Sequence, residues 1–542
     1  MKRYDKVTPV STRDLLFGEC ESLRRVQEKL CRLYARHGFR EVMTPSLEYC
    51  DVFGSSYGQV RPQQTAKLTD SQNRMLCMRP DCTVPIARLC STKLQNAPLP
   101  LRLYYNQQVY STPREHSGKA AEFSQAGVEL IGGAGRESDL EILSLAAESL
   151  RELSADYRLE ICHIGFFKAL MNELQAPWEV KEQVRELIGQ KSYATLGDLL
   201  EGYASQSAAQ ALWVLPRLFG GSEILAQARA LVEGGEAARA LDDIEQLYLE
   251  LSRADPGEHV LIDLGLVGQA DYYTGVIFRG YLAGIGEPVL LGGRYDNLIG
   301  QFGPARPAVG FGVNASLVAQ SGPATGETKE NTVTLALTKG RLERKAVEML
   351  ESLGYDCGEL HDKGRRLIFH LGESGLQVIL AKAADVLTYV ESGVADIGIV
   401  GKDTILENGG SFYEVLDLGF GRCRFAVACK NGDDLYSGYN AKVIASKYPK
   451  VALGFFEEKG MDVDVVKIEG SVELAPILGL ADAIVDIVET GSTLKENGLQ
   501  VVEEIAPVSA RLIVNTAAMK LKKEAIGRVI AGAERYVGEE TK

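Results

Sequence analysis

"IVDIVETGSTLKENG", Ile484 to Gly498, combines an apolar run, two carboxylates and a small, hydroxyl-rich loop. The apolar run reads as a buried strand that delivers Asp486 and Glu489 to its end. Thr490, Gly491, Ser492 and Thr493 then lead into a helix. Small residues let backbone N–H groups approach an anion, and a helix start adds partial positive charge. Three hydroxyls can donate to phosphate oxygens, while the carboxylates suit a sugar diol or Mg²⁺. This strand–loop–helix turn argues for an α/β fold and a phosphorylated sugar as ligand. The alternative is a capped helix after a strand, because Ser and Thr are ordinary caps.

Three more turns of this kind lie in the same half. "LTKGRLERK" places Lys339, Gly340 and Arg341 at a helix start, where cations oppose the macrodipole and a bound anion would relieve the conflict. Solvated basic residues are the alternative there. "GIVGKDTILE" sets Gly401, Lys402 and Asp403 at a strand-to-helix turn, and "IEGSVELAP" sets Gly470, Ser471 and Glu473 ahead of the phosphate loop. Strands alternate with helices from "TVTLAL" onward, which predicts parallel α/β units. Four such turns predict a cleft for a phosphate-rich ligand. Val318 to Thr332, rich in Gly, Ser, Thr and Pro, reads as a linker with its core at 321–331.

From about Asn331 onward the chain resembles the short form of ATP phosphoribosyltransferase, the first enzyme of histidine biosynthesis. "ALTKGRL", "YVESGVADIGIVGKDTILE", "GSVELAPILGLADAIVDIVETGSTLKENGL" and "ARLIVN" carry the match. The resemblance implies a two-lobed, periplasmic-binding-protein-like domain at 332–542. Lobe I is expected at about 332–422 and 515–542, and lobe II at about 423–514. It implies that Glu489–Thr493 holds the 5-phosphate of phosphoribosyl pyrophosphate, with Asp486 and Glu489 near the ribose. It implies Mg²⁺ arriving with that substrate rather than in a dedicated protein site. Lys339, Arg341 and Arg365 are the candidate cationic groups. In "KAADVLTY", Lys382 stands where the family carries arginine, and Leu387 where it carries proline. Lysine keeps the charge but loses the planar fork.

The first half mixes strands and helices differently. "SLRRVQEKLCRLYARHG" is an amphipathic helix ended by Gly38, and "FREVMTPSLEY" reads as one strand. "LRLYYNQQVYS" and "EFSQAGVELIG" read as an antiparallel pair, and about 175–253 as a helical insertion. Residues 1–320 resemble the catalytic domain of histidyl-tRNA synthetase, through "RPDCTVPIARL", "EFSQAGVELIG", "ADYYTG" and "GGRYDNLIGQFG". The resemblance implies an α+β class II synthetase fold built on an antiparallel sheet. It places Asp81, Thr83, Gln125, Glu129, Tyr272 and Tyr273 around a bound histidine. Yet Ser111, Gly268 and Leu317 stand where that family grips ATP with arginines, and adenylation relies on that charge. The expectation is therefore a pocket that senses histidine as a feedback inhibitor of the transferase. A synthetase with an appended nucleotide-binding domain, and a non-catalytic histidine-binding protein, are the competing readings.

Bulk properties agree with these expectations. The chain has 542 residues and a formal net charge of −14, which argues against a broad nucleic-acid surface and against tRNA as a partner. No apolar run approaches the ~18 residues of a membrane span. The ten cysteines are scattered and form no CxxC pair, the pattern of reduced thiols in a cytoplasmic protein. ATP and phosphoribosyl pyrophosphate are the expected substrates, and a homo-oligomer of fused chains the expected assembly.

Overall fold

A computed structural model describes residues 5–54, 65–113, 118–267, 273–321, 332–372, 374–438 and 440–540. It divides into two compact units, Met1–Lys329 and Glu330–Lys542. Residues 322–331 of the expected linker, Tyr272 of the expected pocket and Gly268, one of the expected arginine positions, lie outside the described residues.

A nine-stranded sheet organises the first unit. Its centre is antiparallel: Leu101–Tyr110 pairs with Glu122–Ile131, which pairs in turn with Ala308–Asn314 and, beyond it, Leu290–Arg294. Side chains alternate across it. Ala126, Val128 and Leu130 join Val309, Phe311 and Val313 in a core beneath the helices Gly18–Arg36, Gly135–Leu153 and Gly235–Ala254. Each large side chain fully buried there contributes about 1.5–3 kcal/mol. Gln125, Gly127 and Glu129 fall on the opposite face, which the helix Thr83–Ser91 covers.

The expected strand "FREVMTPSLEY" is instead two. Arg40–Glu41 adds to the large sheet, and Leu47–Tyr49 belongs to a separate three-stranded sheet. Pro45 separates them, and it has no N–H to continue a ladder. Helices predominate from Trp178 to Ala254. A buried ion pair ties this insertion to the sheet: the Lys191 ammonium lies 3.1 Å from the Asp263 carboxylate at the end of the strand Val260–Asp263.

The second unit has a six-stranded and a five-stranded sheet, one per lobe. Val333–Thr338 is parallel to Leu376–Ala381 and Ile397–Gly401 in the first. Lys442–Ser446 is parallel to Val463–Lys467 and Ala483–Val488 in the second. The remaining pairings are antiparallel, so both sheets are mixed rather than parallel throughout. "RLIFHL" and "QVILAK" follow each other without a helix, and the chain turns straight back between them. The strand Ala510–Asn515 pairs with Ile397–Gly401 and Phe412–Asp417, so the chain returns to the first lobe before Ala510, not at 515. That strand is apolar throughout and would satisfy either sheet.

Candidate functional sites

In the second unit, parallel strands bring the predicted residues to common edges. Lys339 follows Val333–Thr338, and its N–H donates to the Ala381 carbonyl at 2.9 Å. Lys382 therefore emerges beside Lys339, as the N-cap of Ala383–Glu391. Leu367 pairs with Leu380 through a 2.9 Å backbone bond, which brings the Arg365 segment to this same edge. Lys339, Arg365 and Lys382 are all exposed. Carboxyl ends of parallel strands are the usual ligand edge of an α/β sheet.

The second lobe answers with its own strand ends. Asp486 is half-buried near the end of Ala483–Val488, and Glu489, Thr490, Ser492 and Thr493 are exposed just beyond. Gly491 turns the loop with φ of +77°, and the helix that follows, Ser492–Glu496, is short. The Thr490 and Ser492 hydroxyls lie 3.0 Å apart. Gly470 and Ser471 are exposed in the loop before Leu474–Ile477, and Glu473 is that helix's N-cap. Burial raises the Asp486 carboxyl above its ordinary range, and the charges of Glu473 and Asp403 add to the rise.

The lobes meet across this cleft. Arg341 forms an ion pair with Glu489. The conflict expected at the helix start of Arg341–Ser352 is therefore relieved from within the chain, with Glu343 also accepting from the Gly340 N–H at 3.2 Å. The Tyr448 hydroxyl donates to Asp403 at 3.0 Å. Tyr448 escapes sequence reasoning, because "SKYPK" reads only as the approach to a helix with Pro449 in its first turn.

Lys402 corrects the sequence reading. Its ammonium does not face a ligand; it is buried and donates to Glu414 at 2.6 Å. A buried ammonium needs such a partner.

In the first unit Asp81, Thr83 and Glu129 come together on the sheet face opposite the large core, the face on which Gln125 also lies. Glu129 is buried; it accepts from the Thr83 hydroxyl at 2.8 Å and from the Tyr295 hydroxyl. Asp81 is buried too, and its Oδ1 accepts from the Val84 N–H at 3.0 Å. Burial pushes the Asp81 carboxyl up to about 6 and that of Glu129 up to about 8. Among the described residues, Asp81 Oδ2 and Gln125 Oε1 are buried acceptors without a hydrogen-bond partner. Such atoms are costly unless a ligand donates to them.

Glycines let these side chains lie close against the sheet. A side chain at Gly310 would collide with the Glu129 carboxylate, and a Cβ at Gly312 would sit 2.8 Å from the Tyr105 hydroxyl. Tyr273 packs over Gly293, the strand partner of Gly310. Tyr105 and Tyr295 were not singled out by sequence; Tyr295 lies within the quoted "GGRYDNLIGQFG", but only the fold turns it onto Glu129. Leu317, one of the expected arginine positions, packs against the apolar core instead.

Comparison with known proteins resolves the chain into the same two parts. The family model described as histidyl-tRNA synthetase matches residues 11–318, and that described as ATP phosphoribosyltransferase matches residues 382–534. The ATP phosphoribosyltransferase of Clostridium kluyveri is 60% identical over 210 residues, spanning 39% of this chain and 96% of that protein. The ATP phosphoribosyltransferase regulatory subunit of the same organism is 39% identical over 325 residues, 59% of this chain and 83% of its own length. A solved structure described as an ATP phosphoribosyltransferase regulatory subunit/histidyl-tRNA synthetase from Bacillus halodurans superposes with a TM-score of 0.55 at 29% identity. It covers 71% of this chain and 95% of its own.

Proposed function

The chain belongs to the ATP phosphoribosyltransferase family, with a histidyl-tRNA-synthetase-like regulatory half ahead of the catalytic half, and we propose that the first half senses histidine and controls the second. The catalytic half acts in histidine biosynthesis. Its reaction breaks the bond from C1 of the ribose to pyrophosphate and forms one from C1 to N1 of ATP. An oxocarbenium-like transition state requires no covalent nucleophile; the protein must align two polyanions and neutralise the departing pyrophosphate.

The cleft offers groups for each task. Thr490, Ser492, Thr493 and the loop backbone hold the 5-phosphate, while Asp486 and Glu489 accept from the ribose hydroxyls. Lys339, Arg341, Arg365 and Lys382 face the phosphates of ATP and the pyrophosphate. Arg341 exchanges its Glu489 partner for substrate as the cleft fills. Asp403, Gly470, Ser471 and Glu473 line the remaining wall. In this reading Mg²⁺ enters with phosphoribosyl pyrophosphate. Bound there, it would supply charge neutralisation on the leaving group. Two sheets linked by two chain crossings support a periplasmic-binding-protein-like topology for this half.

The observations that carry the sensor reading are two buried, unpartnered acceptors, Asp81 Oδ2 and Gln125 Oε1, and the buried Glu129 carboxyl. They suit the ammonium and ring N–H of histidine. Adenylation would need the cations absent at Ser111, Gly268 and Leu317, so tRNA charging is not part of this reading. No helix of the described residues is long and apolar enough to cross a membrane. We place the enzyme in the cytoplasm as a homo-oligomer. The test is twofold: product formation from ATP and phosphoribosyl pyrophosphate with and without histidine, and histidine-dependent ATP–pyrophosphate exchange. Turnover that histidine suppresses, with no exchange, is the expected result. Exchange without turnover would establish the synthetase reading instead.

A further inference from the structure

The chain passes between the two lobes of the catalytic half twice, from Asp417 to Cys423 and from Val508 to Ala510. Backbone bonds of 2.9 Å, Leu418 N–H to the Ala510 carbonyl and Ala510 N–H to the Phe420 carbonyl, hold the two crossings side by side. A ring of polar contacts closes around them. The Lys402 N–H donates to the Ser509 carbonyl at 2.9 Å. The Ser509 hydroxyl donates to Asp417 at 2.7 Å. Arg511 lies 3.1 Å from Asp417 and 3.5 Å from Glu414. Glu414 accepts from the Lys402 ammonium at 2.6 Å, which completes the ring.

Three of these charges lie away from solvent, the side chains of Lys402, Glu414 and Arg511 being 10%, 2% and 6% exposed, while Asp417 is 40% exposed at the rim. A buried ionic ring is poor value as a source of stability, since apolar residues of similar volume often serve as well or better. What it provides is geometric definition, at the place where the lobes must pivot. Lys402 also has a neighbour with a different duty. Asp403, the next residue, reaches the cleft and accepts the Tyr448 hydroxyl of the other lobe at 3.0 Å. Any shift of Lys402 therefore moves Asp403 within the cleft.

We propose that Lys402 is a positioning residue: its ion pair with Glu414 and its backbone bond to Ser509 set the angle of the two crossings, and so the place of Asp403 against substrate. This rests on the transferase reading of the cleft. It acts without touching substrate. Lobe closure on phosphoribosyl pyrophosphate is transmitted through the ring, which gives buried charge a task that apolar residues would not perform.

The test uses the full chain and the Lys402→Met/Glu414→Gln double variant, which leaves no uncompensated buried charge. Thermal midpoint, kcat and the KM of each substrate are measured. Backbone hydrogen exchange of residues 418–422 and 507–511 is followed with and without phosphoribosyl pyrophosphate. The expected result is a folded protein whose kcat falls about tenfold or more, equivalent to ~1.4 kcal/mol, and whose crossings are no longer protected by substrate. A folded double variant with kcat within about twofold of wild type and substrate protection intact would overturn the proposal. If the double variant does not fold, Lys402→Arg decides. It keeps the charge but alters its reach. Lowered kcat at an unchanged thermal midpoint supports the clamp, and wild-type kinetics refute it. An inactive wild type would instead count against the transferase reading itself.

Discussion

The loop Glu489–Thr493 of the catalytic half stands open, with Glu489, Thr490, Ser492 and Thr493 all exposed, whereas Asp81 and Glu129 of the regulatory half are 8% and 1% exposed. The two places suit opposite tasks. An open cleft edged by cations and hydroxyls accepts large polyanions, lets them react and releases products. A closed pocket with buried carboxyls recognises one small ligand well and has no need to release it at every turnover. In the first setting partial burial raises the Asp486 carboxyl. In the second, fuller burial raises Asp81 to about 6 and Glu129 to about 8, so the protonated form of Glu129 is favoured at neutral pH.

The contrast predicts which substitutions affect which measurement. The largest effect is expected from Thr490→Ala/Thr493→Ala, which removes two of the proposed phosphate donors. The KM for phosphoribosyl pyrophosphate should rise about 10- to 100-fold, at ~1.5–3 kcal/mol for each hydrogen bond to a charged group with partial compensation. Calorimetric binding of histidine should not change; a parallel loss of both would break the division of labour. Asp81→Ala should do the reverse. Histidine affinity should fall roughly tenfold or more, with both substrate KM values preserved.

A third prediction concerns pH. The Asp81 and Glu129 carboxyls are raised in the folded state to about 6 and about 8, from ordinary values of 3.8 and 4.5. An acid with a raised folded pKa stabilises the fold below its unfolded pKa and loses that contribution as pH climbs to the folded value. The regulatory half should thus lose thermal stability from about pH 4 to about pH 8, by at most ~1.4 kcal/mol per pH unit for each group. Histidine needs the ionised carboxylate, so its affinity should rise between about pH 7 and 8.5, where its own ring is already mostly neutral. Isothermal titration in buffers of different ionisation enthalpy should record proton release on binding. A flat affinity across that interval would show that Glu129 is ionised before the ligand comes. The smallest effect is expected from Tyr448→Phe, which removes one hydroxyl-to-Asp403 bond. Turnover should drop by about 2- to 10-fold with little change in stability; a larger loss would assign Tyr448 a more direct part.

Sequence revealed the local devices and concealed the tertiary ones. The turn at Gly491, the helix Gly18–Arg36 and the paired strands Leu101–Tyr110 and Glu122–Ile131 follow from patterns within a few residues of each other. The class II synthetase-like fold of the first half was legible through its motifs. Lys402 was not legible. "GIVGKDTILE" has the same strand-to-helix form as a phosphate turn, and only Glu414 and the distant Arg511 reveal an inward ammonium. Tyr448 and Tyr295 carry no local cue, since a tyrosine beside a turn packs inward or outward according to what the fold brings opposite. Pro45 could have signalled the break in "FREVMTPSLEY", and the lack of a helix between "RLIFHL" and "QVILAK" could have signalled the antiparallel turn. The return of Ala510–Asn515 to the first lobe depends on topology that an apolar run does not encode.

The central claim is that the closed pocket of one half governs the open cleft of the other. Its most direct test is the inhibition of transferase turnover by histidine in the full chain and in the Glu129→Gln variant, each scaled to its own rate without histidine. The account predicts saturable inhibition of the wild type and a dose–response displaced roughly tenfold or more to higher histidine in the variant. Turnover indifferent to histidine, or inhibition at the same concentrations in both proteins, would contradict it.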